Sequence, residues 1–128
     1  MKPLAIAISL VGHLAACSAY ALNCQSALST PDLNECAQQE QRAVEAKLNQ
    51  VYQKALKSVS EPTTEQDAET KRKLIQAQRA WVKFRDADCE AVYSRFADGS
   101  MRNIMFMGCM QQHAERRIAD LEFISEDH

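Results

Sequence analysis

The sequence is poor in the residues that interrupt regular structure, with 3 glycines and 3 prolines among 128 residues. That scarcity excludes a many-stranded sheet, which needs frequent turns, and the runs rich in Ala, Gln, Glu, Lys and Arg between the few breakers favour helices joined by short connections. Other absences exclude functions. There is no C-x-x-C pair of the kind zinc sites use, no Gly-rich phosphate loop, and no nucleophile with an adjacent base, so neither a metal, a cofactor nor catalytic residues are expected. No basic patch or long run of one charge sign suits nucleic acid. No apolar run reaches the roughly 20 residues of a spanning helix.

What is present begins with an export signal. Lys2 supplies a positive charge, Leu4 to Ala16 is mostly apolar, and Ala19-Tyr20-Ala21 has the small-x-small form that signal peptidase cuts. On this reading residues 1–21 are removed and 22–128 form one domain. A rival reading takes Leu14-Ala15-Ala16-Cys17 as a lipobox, with residues 1–16 as the signal and Cys17 as the lipid-bearing first residue, the chain's one route to a membrane. Either way Cys24, Cys36, Cys89 and Cys109 remain. An even set of four suits disulfides in an oxidising compartment. Losing Lys2 from the 15 basic residues leaves 14 against 17 acidic, a mildly acidic domain that tolerates a cationic partner better than an anionic one.

Three helices are expected. Ser29 or Thr30 can cap the first, with Pro31 in its opening turn and Asp32 and Glu35 where the helix dipole favours acids; its apolar stripe, broken at Glu40, runs to about Ser60. Thr63 and Thr64 with Gln66 and Asp67 offer a cap for a second helix from about Glu65 to Phe96. Asp98-Gly99-Ser100 signals a turn, and a third helix follows from about Arg102 to Phe123. The fold expected is an all-α, three-helix antiparallel bundle, a long hairpin plus a third helix, cross-linked by two disulfides.

The stretch Leu74 to Cys89, reading LIQAQRAWVKFRDADC, holds the only tryptophan. In a helix it places Gln78, Trp81, Arg85 and Cys89 along one face. Centring the two turns at 62–63 and at Gly99 sets Arg85 opposite Glu40 and level with His113. The same register sets Trp81 between Val44 and Arg117, where a stacking contact is expected. Cys89 comes level with both Cys36 and Cys109. Pairing Cys24 with Cys36 and Cys89 with Cys109 closes two short local loops and is favoured; Cys36 with Cys89 and Cys24 with Cys109 is the alternative. Glu40, Arg85 and His113 could in principle move protons, but a partly buried ion pair is the simpler reading. Met101, Met105, Met107 and Met110 are expected to fill gaps in the core.

These residues resemble a known family. Cys24 and Cys36, Leu48-Asn49 with Tyr52, the Q-x-x-W-x-x-x-R-D-x-x-C run formed by Gln78, Trp81, Arg85, Asp86 and Cys89, and then Cys109, Arg117 and Leu121 are similar, in order, to the LprI-like N-terminal domain family of lysozyme inhibitors. The resemblance implies an all-helical, disulfide-linked, exported protein and, for the family's founding member, binding and inhibition of lysozyme. The expectation is a periplasmic or lipid-anchored binding protein with a protein partner, lysozyme or a related cell-wall hydrolase, and no enzymatic activity. A structural or adaptor protein of the cell envelope is the alternative.

Overall fold

A computed structural model describes residues 22–59 and 64–126. The signal and lipobox readings, Cys17 included, fall on residues outside that range. Three helices, α1 (Thr30–Ser58), α2 (Glu65–Arg95) and α3 (Arg102–Ser125), make up nearly all of the described chain. At about 1.5 Å per residue, the 29 residues of α1 and 31 of α2 make rods roughly 45 Å long. None of the helices is long and apolar enough to cross a membrane. The segment before α1 contains a short 3-10 turn at Cys24–Ser26, where the Asn23 side chain accepts from the Gln25 amide.

The helix starts follow the capping chemistry in the sequence. Ser29, and not Thr30, is the α1 cap, its hydroxyl accepting from the Asp32 amide. Thr64 and Asp67 form a reciprocal capping box at the start of α2, each side chain accepting from the other's backbone amide. α3 has no side-chain cap. Its start is held instead through the preceding turn, where Gly99 N donates to Phe96 O and Arg102 Nη1 donates to Ala97 O.

The two disulfides are Cys24–Cys36 and Cys89–Cys109, the local pairing, each with its Cα atoms 5.6 Å apart. The first ties the amino-terminal segment to α1. The second joins the end of α2 to the start of α3.

α3 is the element on which the others assemble. It packs closely along both α1 and α2, whereas α1 and α2 share no comparably close backbone interface. α1 and α3 run in the same direction, since Gln111 in the first half of α3 donates to the Ala37 carbonyl in the first half of α1. Ala55 and Ala114 are both fully buried. The apolar core combines Leu48 and Ala55 from α1, Leu74 from α2, and Ala114, Ile118 and Leu121 from α3, with Tyr52 and Trp81 packed against it. That core occupies the half of the bundle remote from Cys89–Cys109. The other half adds the disulfides, polar contacts and an edge-to-face contact between Tyr93 and Phe106.

Candidate functional site

The polar contacts form a ladder along α2. At its middle, Arg85 Nη1 donates to Glu45 Oε1 at 2.6 Å, and its Nη2 lies 2.9 Å from Asp86 Oδ1. The Arg85 guanidinium also sits 4.9 Å from the Trp81 ring centre, within cation–π range. Gln41, buried one turn before Glu45, donates to the same carboxylate oxygen at 3.1 Å. One carboxylate therefore gathers two donors on the inner side of α1.

This corrects the expected partner of Arg85. Glu40 is exposed, and Glu45 takes its place. Two physical reasons account for the difference. Side chains on a helix lean toward its amino terminus, so on antiparallel helices the tips that meet belong to residues a few positions further along than the level partners. Moreover, at about 100° per residue, Glu40 lies roughly 140° around α1 from Glu45 and faces solvent.

The stacking partner of Trp81 is likewise Arg85 and not Arg117. Arg117 is buried and donates from Nε to Gln78 Oε1 at 2.9 Å, with Asp120 at 3.8 Å from Nη1. His113 is also inside, at 9% exposure, with Nε2 2.7 Å from Asp88 Oδ2 and the edge of Phe84 against its ring. Arg85 and His113 thus have separate carboxylate partners, and Glu40 belongs to neither. The three do not assemble into a proton-transfer cluster.

The other motif residues divide by environment. Leu48 and Leu121 are core, Tyr52 is half-buried against it, and Asn49 is exposed. Asp86 keeps 54% of its side chain exposed. The methionines differ from expectation: Met101 and Met105 are exposed, and only Met107 and Met110 are half-buried. The tight turn at Gly99 brings the chain into α3 before any α1 neighbour can cover those positions. Glu45, Gln41 and Asp88 were not singled out by sequence reasoning. The i, i+4 spacing of Gln41 and Glu45 is the signal that could have found that pair.

Two shallow clefts flank the ladder. One of about 490 Å³ lies between α2 and α3 and is lined by Asp88, Val92, Met105, Cys109 and His113, among others. The second, of about 440 Å³, is lined by Tyr52, Gln78, Arg79, Val82 and Lys83. Both are open surfaces along helix seams, suited to contact with another macromolecule more than to enclosing a substrate.

Comparison with known proteins bears on what such a scaffold serves. The profile of the family described as Lysozyme inhibitor LprI matches residues 21–121, from the cysteine-bearing segment before α1 to the core leucine of α3. The chain belongs to this family. Among its relatives, an uncharacterized protein of Rhizobium meliloti is 34% identical over 110 residues, covering 81% of this chain and 79% of the relative. The uncharacterized protein YecT of Escherichia coli is 36% identical over 66 residues, covering 48% of this chain and 41% of YecT. No solved structure matches significantly. The family match takes in all four paired cysteines and every residue of the α2 ladder.

Proposed function

We propose that this protein is an exported binding protein that inhibits a cell-wall hydrolase of the lysozyme type. The observation that carries the reading is the family match across residues 21–121. Its physical support is a rigid, doubly cross-linked helical bundle of mildly acidic charge, suited to a cationic protein partner. Action by binding and not by catalysis agrees with the separate pairing of Arg85 and His113. Export, by cleavage after Ala21 or by lipidation at Cys17, belongs to the same reading.

The test is a turbidity assay in which lysozyme clears a suspension of cell walls, with and without the purified protein. Slower clearing that saturates with added protein is expected. Full lysozyme activity at a large molar excess would remove lysozyme as the target.

A second reading, an envelope adaptor with another protein partner, is favoured by one observation. Most of the ladder residues face inward, so the family match reports the scaffold more than a contact surface. Capture of a different envelope protein on immobilised protein, together with unchanged lysozyme activity, would select it.

A further inference from the structure

The fold assembles a ligand set that sequence spacing did not show. Cys109 and His113 stand one turn apart on α3, so their side chains share a face, and the turn of chain before α3 brings Cys89 of α2 against them. One ligand atom from each of Cys89, Cys109 and His113 lies within 4.8 Å of the others. Tetrahedral zinc bound by sulfur at about 2.3 Å needs ligand atoms about 3.8 Å apart, a separation that side-chain rotation reaches once the two sulfurs are free.

The surroundings match what a metal site requires. Asp88 Oδ2 is 2.7 Å from His113 Nε2, the kind of carboxylate–imidazole contact that orients a histidine whose other ring nitrogen ligates a metal. Phe84 packs edge-on to the same ring and fixes its plane. The cleft of about 490 Å³ opens onto Cys109 and His113, and at Gly108 a side chain would meet no neighbouring atom within 4 Å. Cys89 is fully buried, so reagents reach the pair through Cys109.

We propose that Cys89, Cys109 and His113, with Asp88 as the orienting partner, form a thiol-gated site for a zinc-like divalent cation, available only when the Cys89–Cys109 bridge is reduced. A dithiol reductant attacks Cys109 Sγ from the cleft, forming a mixed disulfide and releasing Cys89 as thiolate. The second thiol of the reductant then displaces Cys109, so the reductant leaves as its own disulfide and the protein holds two thiols. Metal binding releases both thiol protons and gives a Cys2His site whose fourth position faces the cleft.

The test uses the full chain, oxidised or reduced with a phosphine under anaerobic conditions, titrated with Co2+ and then Zn2+. Reduced protein is expected to bind one Co2+ per chain with a thiolate-to-metal charge-transfer band that Zn2+ abolishes, and oxidised protein to show neither. His113→Ala should weaken binding at least tenfold, and Asp88→Asn about tenfold. Cys24→Ser with Cys36→Ser should leave the band intact, since that bridge is outside the site. Metal-loaded protein should also resist re-formation of the Cys89–Cys109 bridge. The proposal is overturned if reduced protein binds no metal, or if the band persists in the Cys89→Ser, Cys109→Ser variant. Should reduction lower helicity, recovery on adding Zn2+ supports the site, and failure to recover overturns it.

Discussion

Arg85 and Glu45 meet at 2.6 Å across 40 residues of sequence, in an ion pair that joins α1 to α2. The arginine side chain is 11% exposed and the glutamate 29%, so water screens the pair only in part. Removing one partner leaves the other charge poorly solvated.

Arg85→Ala is therefore expected to destabilise the oxidised protein by about 2–4 kcal/mol, with Glu40→Ala within about 0.5 kcal/mol of wild type. Urea unfolding followed by circular dichroism checks both. Equal effects from the two substitutions would contradict the pairing. Any partner affinity should survive in the folded fraction of Arg85→Ala, because the guanidinium is turned inward.

Digestion of the oxidised protein and mass spectrometry should yield linked peptides joining Cys24 to Cys36 and Cys89 to Cys109, and none joining α1 to α2. Replacing either pair by serines should cost roughly 3 kcal/mol, the chain-entropy value for loops of this size. Separations of 12 and 20 residues make the two losses similar.

Leu121 is fully buried and Leu28 is 92% exposed. Leu121→Ala should cost about 2–5 kcal/mol through lost burial and the cavity left behind, and Leu28→Ala almost nothing. The measurement is the shift in denaturant midpoint at constant slope.

Thr64→Ala should cost about 1 kcal/mol by opening the capping box with Asp67. Loss of amide protection confined to the first turn of α2, measured by hydrogen exchange, would locate the effect.

Reduction in the absence of metal should loosen one end of the molecule selectively. Amides near Cys89 and at the start of α3 are expected to lose protection while those around Leu48 and Leu121 keep it, because those residues belong to an apolar cluster that does not depend on the bridge.

Local chemistry made much of this legible in advance. Ser29, Thr64 with Asp67, and the turn at Gly99 carry their boundaries in residues a few positions apart, and α2 and α3 begin where those signals put them. The disulfide pairing followed from loop length. The partner of Arg85 did not follow, because it depends on the lean of side chains across two helices and on rotation about α1, neither of which is a property of nearby sequence. The central place of α3 was hidden for a similar reason. A hairpin picture assumes that neighbours in the chain are neighbours in space, and here the first and last helices pack more closely than the first and second.

That side-by-side alignment of α1 and α3 also governs how the protein acquires its shape. Gln111 and Ala37, which meet across it, are 74 residues apart, so a long loop must close before the interface forms, and such closures slow folding. Until α3 is present, α1 and α2 have only each other, through the Arg85–Glu45 pair and part of the apolar core. Docking of the first helix along the third is thereby expected to wait until the last quarter of the chain has been made.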